Sequence, residues 1–161
     1  MELIDDFELN QQVQERKKEY IALCRYRLNR WKDYMEEQFN ITEIEGVKTI
    51  HIKRYIRFCQ ELGKEKAITI NGSIATLRVF FNDLVAEEFL DEMDNPMRRI
   101  KNLKEERKVI HTFNDEEVKR ILRDVKEYTY SNVRDKLILI ILFDTGIRVS
   151  ELCDIKVQDI T

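Results

Sequence analysis

Residues that break regular structure are scarce in this chain, and this scarcity constrains the fold more than any other feature. One proline and four glycines are spread over 161 residues. Tight turns between strands draw mainly on such residues, whereas Leu, Ile, Glu, Lys and Arg recur here at spacings of three and four. The sequence therefore predicts an essentially all-α fold.

Three apolar stripes at helical spacing occupy the first part of the chain. The first predicts one long helix from about Phe7 to Phe39, with a break near its start left open; its stripe is Val13, Tyr20, Cys24, Leu28, Trp31, Met35 and Phe39. The second helix is expected to be capped by Thr49 and stopped by Gly63, with the stripe Ile52, Tyr55, Ile56, Cys59 and Leu62. The third runs from about Asn71 to Glu88 on Ile74, Leu77, Phe81, Leu84 and Val85. Together they predict a compact bundle.

A linker is indicated after the bundle, in "LDEMDNPMRRIKNLKEERKVI". This stretch has little periodicity and contains both Pro96 and the densest basic cluster of the chain: Arg98, Arg99, Lys101, Lys104, Arg107 and Lys108. We therefore divide the chain into a helical domain over 1–97, a basic linker over 98–112 and a second unit over 113–161.

The second unit is expected to begin with a helix capped by Asn114 or Thr112, followed by a helix from about Asn132 to Asp144. The run "LILIIL" in the latter is apolar on every side and requires neighbours all around it. Roughly fifty residues supply only a marginal core. We therefore expect the second unit to be incomplete.

Charge and composition exclude several classes of protein. The net charge is −3, with seven Lys/Arg against eleven Asp/Glu in residues 1–46 and thirteen against ten in residues 47–108. Cys24, Cys59 and Cys153 form no disulfide framework, and with His51 and His111 they show no metal-ligand spacing. No apolar run approaches the roughly 20 residues that span a bilayer, and the acidic start is unlike a signal peptide. We expect a cytoplasmic protein without metal, small-molecule cofactor or membrane partner.

The stretch "DTGIRVSEL", residues 144–152, carries the most chemical information. Gly146 fits a left-handed helix cap, after which a short helix is expected from about Ile147. Arg148 would lie in the first turn, where the helix dipole disfavours a cation, and Glu151 would share its face. The pair has two readings: an ordinary surface ion pair, or a guanidinium held ready for a ligand.

The order of residues in "LILIILFDTGIRVSELCDIKVQDI" resembles the first catalytic-arginine segment of the tyrosine recombinases, or phage integrase family. In that segment an apolar helix ends in Thr-Gly, and an arginine follows after one residue. Glu-Leu occupies the third and fourth positions after the arginine, and an Asp-containing stretch then leads into a strand. The matching positions here are Thr145, Gly146, Arg148, Glu151, Leu152 and Asp159. Upstream, the stretch from Ile68 to Leu122 resembles the end of the family's core-binding domain, its linker and the opening helix of its catalytic domain. Gly72 and Ser73 depart from the family, which often has basic residues there.

The resemblance implies a SAM-like four-helix core-binding bundle followed by the first helices of a catalytic domain. It also implies a mechanism in which a tyrosine becomes linked to a 3′ phosphate of DNA and strands are exchanged without a cofactor. Arg148 would bind the phosphate in the transition state, and Glu151 would orient it. In the complete enzyme the partners are double-stranded DNA and other protomers, as a tetramer in a DNA synapse.

The family's remaining catalytic groups follow this segment in chain order: a lysine in a β-turn, a His-x-x-Arg motif, a further His or Trp, and the nucleophilic tyrosine. All six tyrosines here precede Arg148: Tyr20, Tyr26, Tyr34, Tyr55, Tyr128 and Tyr130. We therefore expect a truncated catalytic domain, and a chain that alone neither cleaves nor joins DNA.

Phosphate contacts require Lys and Arg on one face. The residues expected to contact DNA are Lys48, Lys53, Arg54, Arg57, Thr69, Asn71, Arg78, Arg98, Arg99, Lys101 and Lys104. Two other functions remain open. One is a DNA-binding regulator that does not cleave, and the other is a helical protein-interaction module, which explains the net charge of −3 better.

Overall fold

The computed structural model describes residues 3–61, 65–105 and 112–160, with residues 157 and 160 described by their backbone alone. Seven α-helices occur in these ranges: α1 Leu3–Val13, α2 Lys18–Phe39, α3 Thr49–Glu61, α4 Ala67–Ala86, α5 Asp115–Asp124, α6 Tyr130–Thr145 and α7 Val149–Asp154. Short 3₁₀ turns span Ile44–Gly46, Glu92–Asp94 and Val157–Ile160, and the described residues contain no strand. The all-α prediction is confirmed. The chain divides into two compact units, Met1–Arg107 and Lys108–Thr161.

The core of the first unit lies between α2, α3 and α4, with α1 packed against α2. Leu28, Ile52, Cys59 and Phe81 are completely buried. The ring of Trp31 meets that of Phe81 nearly edge-on, with centroids 5.6 Å apart. Because the stripes of three helices interlock here, the surfaces that remain exposed on α3 and α4 are held at fixed positions.

The stretch predicted as one long helix from Phe7 to Phe39 contains the break that the prediction left open near its start. The chain leaves α1 after Val13, and Glu15 adopts a left-handed backbone with φ of 56°. This break puts α1 out of phase with the stripe of α2, and Val13 is 74% exposed. Tyr20 lies after the break, in the first turn of α2, and is 38% exposed because its neighbour Ile21 is buried in its place. The buried residues of α1 are instead Ile4, Phe7 and Gln11.

The helix predicted from Thr49 is present, but its cap differs from the prediction. Thr49 is the first residue of α3, and its hydroxyl donates to the carbonyl of Pro96 at 3.0 Å. The Nδ1 atom of His51 accepts from the backbone N–H of Lys48 at 3.1 Å. His51 thus satisfies a backbone donor at the start of the helix. Leu62 and the expected stop at Gly63 lie outside the described residues.

Helix α4 begins earlier than predicted, at Ala67, and the segment after it does not leave the bundle at once. Met97 and Ile100 are buried, and Leu103 packs against the same core. The described part of the basic segment therefore belongs to the first unit, and the structural division falls after Arg107.

In the second unit, the Asn114 cap is present as a reciprocal capping box with Glu117, and both hydrogen bonds are 2.9 Å long. Helix α6 starts at Tyr130, capped by Thr129. None of the described residues of α5, α6 or α7 is buried, although α6 contains the all-round apolar run. The second unit as described therefore leaves much of this apolar surface uncovered.

Within the described ranges, no helix combines the length and the apolar character needed to cross a bilayer. The same residues contain no group of three His, Cys, Asp or Glu side chains placed to hold a metal ion.

Candidate phosphate and nucleic-acid site

The turn before Arg148 is built by Thr145 and Gly146. Gly146 caps α6 in the left-handed region, with φ of 65°, and its N–H donates to the carbonyl of Leu142 at 3.0 Å. The Thr145 hydroxyl donates to the carbonyl of Ile141 at 2.6 Å. The first is the last bond of the helix ladder, and the second ties the Thr145 side chain back to its own helix. The chain consequently changes direction at a defined residue and delivers Arg148 two positions later.

Arg148 is held by Glu151 through two separate groups. One carboxylate oxygen of Glu151 accepts from the backbone N–H of Arg148 at 2.8 Å, and the other accepts from its Nη1 at 3.1 Å. The sequence predicted the proximity of the two side chains but not the backbone bond. Arg148 is the N-cap of α7, rather than a residue of its first turn, so Glu151 caps the helix as well as pairing with the cation.

The guanidinium of Arg148 nevertheless faces solvent, because its side chain is 83% exposed. An exposed ion pair of this kind contributes little to folding, about 0–1 kcal/mol. A planar, exposed guanidinium with one edge bound to a carboxylate can still bind two oxygens of a phosphate. After α7 the backbone forms the 3₁₀ turn Val157–Ile160, where the family resemblance implied an approach to a strand.

A row of four exposed cations begins just before α3 with Lys48 and continues on the helix with Lys53, Arg54 and Arg57. The guanidinium carbon of Arg54 stands 5.5 Å from the centre of the Phe39 ring. The Nε atom of Arg57 donates to Glu61 at 2.7 Å. Two of the four cations therefore have partners within the first unit.

His51 belongs to the same row, and sequence reasoning missed it. Its ring lies 4.9 Å from that of Phe39. Burial first, and then the positive charges of Arg54 and Lys48, lower the pKa of the His51 imidazole. Its position two residues before Lys53 was the feature of the sequence that could have placed His51 with these cations.

The residues expected to contact DNA on α4 divide into two kinds. Thr69 is exposed. Asn71 is only 7% exposed, and its amide bonds to the backbone of Leu103 and to Glu105. The Nη2 atom of Arg78 donates to the carbonyl of Ile100 at 3.1 Å and to Asn102. Asn71 and Arg78 are therefore both engaged by hydrogen bonds within the first unit.

A cation from α2 occupies the place above Gly72, where α4 itself has no side chain. The Nη1 atom of Arg27 donates to the carbonyl of Gly72 at 3.1 Å and to the Thr76 hydroxyl at 3.2 Å. A Cβ atom at Gly72 would stand only 2.5 Å from the Arg27 guanidinium. Arg27 thus brings positive charge to a position at which the sequence alone shows none, while Ser73 is buried.

The basic residues that follow α4 are exposed where the structure describes them: Arg98, Arg99, Lys101 and Lys104. Arg107 and Lys108 lie outside the described residues. Among the tyrosines, Tyr55 is 1% exposed, and burial raises the pKa of its phenol above the ordinary value. A buried phenol with a raised pKa is a poor nucleophile.

Comparisons with known proteins give one consistent family. The model of the phage integrase N-terminal SAM-like domain matches residues 22–88, and the phage integrase family model matches residues 92–161. The first match covers α3 and α4 and most of α2, and the second contains Arg148 and Glu151.

Curated relatives agree with these matches. A tyrosine recombinase of Pseudothermotoga lettingae is 34% identical over 126 residues, covering 76% of this chain and 41% of the relative. Tyrosine recombinase XerC of Staphylococcus carnosus is 32% identical over 67% of this chain and 36% of its own length. The XerC of Staphylococcus aureus strain N315 is 40% identical over 59% and 31%. The chain thus spans less than half the length of these relatives.

No solved structure matches the chain. The family therefore rests on the two domain models, which together follow the chain from α2 to its last residues, and on relatives that carry one name. These matches also confirm the SAM-like bundle followed by the first helices of a catalytic domain. The chain belongs to the phage integrase family, the tyrosine recombinases.

Proposed function

We propose that this chain is the DNA-binding portion of a site-specific tyrosine recombinase, with Arg148 as the residue that binds the phosphate to be cut. The observation that carries the proposal is the two-point hold of Glu151 on Arg148, at 2.8 and 3.1 Å, within the Thr-Gly-x-Arg-x-x-Glu-Leu segment. The names of the relatives support the same reading.

The chemistry explains why an arginine is needed at this point. In the complete enzyme a tyrosine attacks a backbone phosphate, which forms a 3′-phosphotyrosine and releases the 5′ hydroxyl of the next nucleotide. A 5′ hydroxyl of DNA later attacks the phosphotyrosine and releases the tyrosine. Negative charge gathers on the non-bridging oxygens in each transition state. A guanidinium that is already oriented stabilises this charge without reorganising during the reaction. Glu151 acts through Arg148 and is a positioning residue.

These 161 residues alone are proposed to bind DNA without cutting it. Every tyrosine precedes Arg148 in the chain, opposite to the order in which the family places its nucleophile. An arginine stabilises a transition state but cannot replace the attacking group. As a separate polypeptide the chain would behave as a DNA-binding regulator, and joined to the remaining catalytic groups it would act in a tetramer of protomers on DNA. We propose the cytoplasm as its compartment, and no cofactor.

The proposed division of labour follows the chain. Residues 1–97 form the core-binding domain, 98–112 the basic connection, and 113–161 the part of the catalytic domain with Arg148. The proposed phosphate contacts are the exposed cations of α3 and of the segment after α4, together with Thr69. Arg27 joins them because its guanidinium lies over Gly72.

A salt titration of duplex DNA binding tests this proposal. The logarithm of the association constant should fall linearly with the logarithm of salt concentration, with a slope of about −0.9 for each phosphate neutralised. The double variant Lys53→Ala, Arg57→Ala should reduce the magnitude of that slope by the amount expected for the loss of about two phosphate contacts. Lys18→Ala, which removes an exposed cation outside the proposed contacts, is the matched control and should leave the slope unchanged.

No binding to duplex DNA at low salt would contradict the proposal. That result would favour the helical protein-interaction module, to which the net charge of −3 is better suited.

A further inference from the structure

Three polar residues on one face of α4 bind the segment that follows the helix. Asn71, Arg78 and Asn82 are separated by seven and four residues, a spacing that places them on a single helical stripe. Each of them hydrogen-bonds to the segment 95–105, which we call the strap. Their polar groups thus bind residues that are distant in the sequence, and the periodicity of the helix does not predict these contacts.

The strap runs antiparallel to α4. Asn95 donates to Asn82 at 3.1 Å, Arg78 donates to the carbonyl of Ile100 at 3.1 Å, and Asn71 holds Leu103. As the strap residue number rises, the number of its partner on α4 falls. The strap is therefore attached at three successive points along the helix.

The attachment at Leu103 is the most specific of the three. The Oδ1 atom of Asn71 accepts from the N–H of Leu103 at 2.7 Å, and its Nδ2 donates to the carbonyl of the same residue at 3.0 Å. The side-chain amide thus pairs with one backbone residue in both directions, as a neighbouring strand would. This pairing fixes both the position and the register of the strap.

The strap has an inner and an outer side. Met97 and Ile100 are buried and Leu103 packs against the core, at a regular spacing of three residues. The exposed cations Arg98, Arg99 and Lys101 lie between these apolar residues, and the exposed Lys104 follows Leu103. Fixing the register of the strap therefore fixes which way these four cations face.

We propose that Asn71, Arg78 and Asn82 are positioning residues for DNA binding, which hold the four strap cations in a preformed row. The inference rests on the proposed function and adds residues that act without touching DNA. A preformed row is favourable because long cationic side chains on a mobile segment lose more freedom on binding. Asn71 is neutral and 7% exposed, so its influence on DNA must pass through the strap.

Asn71→Ala in the 161-residue chain tests the proposal, with two readouts. Amide hydrogen exchange at Leu103 should become about tenfold faster, because the local opening free energy falls when the two bonds are lost. Duplex affinity at fixed salt should fall about fivefold, since the strap must then be ordered at the moment of binding. The salt slope should stay unchanged, because no cation has been removed.

Lys101→Ala is the matched comparison for a direct contact. It should leave the exchange of Leu103 unchanged and reduce the salt slope by about one phosphate's worth. Should Asn71→Ala fail to fold, Asn82→Ala tests the other end of the strap, because Asn82 is exposed and loses only its bond with Asn95. The exchange readout is then the amide of Met97, whose N–H donates to the Asn95 side chain at 2.9 Å.

Two results would overturn the inference: unchanged exchange at Leu103, or faster exchange at Leu103 with duplex affinity within twofold of the parent. A parent chain that fails to bind DNA at all would instead contradict the proposed function, so the two failures are distinguishable.

Discussion

At the scale of single residues, the carboxylate of Glu151 binds both the backbone and the side chain of Arg148. The spacing of three predicted that the side chains meet, because such residues share a helix face. It did not predict the backbone bond, which depends on exactly where α7 begins. That boundary follows from the left-handed turn at Gly146, two residues earlier.

Gly146 gives a prediction at this scale. No heavy atom outside its immediate chain neighbours comes within 4 Å of a Cβ at this position, and φ is 65°. Gly146→Ala should therefore destabilise the helix end by about 1 kcal/mol through backbone strain alone. Gly146→Asn should cost less, because asparagine tolerates this conformation. Urea unfolding followed by circular dichroism measures both free energies of unfolding. Equal losses of stability in the two variants would show that the left-handed backbone at Gly146 is not the cause.

His51 gives a second prediction, with a definite sign. Its lowered pKa means that the folded chain favours neutral imidazole, whose Nδ1 accepts from Lys48. The stability it contributes is present above the ordinary histidine pKa and is lost as the pH falls through the folded value. DNA phosphates should raise this pKa by favouring the cation. NMR titration with and without duplex measures it, and a pKa unmoved by DNA would remove His51 from the interface.

At the scale of elements, the two sides of α2 carry different weight. Leu28 is completely buried, whereas Leu23 is 43% exposed. Leu28→Ala should cost about 3 kcal/mol of unfolding free energy, because it leaves a cavity among packed helices. Leu23→Ala removes the same atoms and should cost under about 0.5 kcal/mol. Comparable costs in urea unfolding would show that the helix packs by another face.

Helix α6 presents the opposite situation, an apolar helix with no buried residue. Val133 and Leu137, four residues apart on one face, are 48% and 55% exposed. We expect the chain to associate with rising concentration in order to cover this surface. Val133→Lys with Leu137→Lys should weaken the association at least several-fold in sedimentation equilibrium. A parent chain that stays monomeric throughout would contradict this expectation.

Elements also show where sequence reasoning reaches its limit. The stripes of α3 and the later part of α2 were predictable, because each repeats its apolar residues without interruption. Val13 was misassigned because a short break shifts the phase of a stripe while the composition stays the same, and Tyr20 because its neighbour Ile21 is the buried residue at that end of α2. The bond between Asn71 and Leu103 was not predictable, because the two residues lie 32 positions apart in the chain.

At the scale of the whole molecule, the net charge of −3 gives little information about its partners. The cations of α3 and of the strap are exposed in rows. Some of the acids are paired with arginines, as Glu61 is with Arg57 and Glu151 is with Arg148. Electrostatic attraction to DNA depends on such local rows more than on the total. The sequence revealed the basic segment, but only the structure showed that it is bound to α4.

The proposed binding of the scissile phosphate by Arg148 can be tested directly. This chain would be joined to the C-terminal part of the longer Pseudothermotoga lettingae relative, and DNA cleavage compared between Arg148 and the Arg148→Ala variant. We expect Arg148→Ala to lower the cleavage rate about 10²–10³-fold and to change the free energy of unfolding by less than about 0.5 kcal/mol. Cleavage within threefold of the parent would show that this guanidinium does not bind the scissile phosphate.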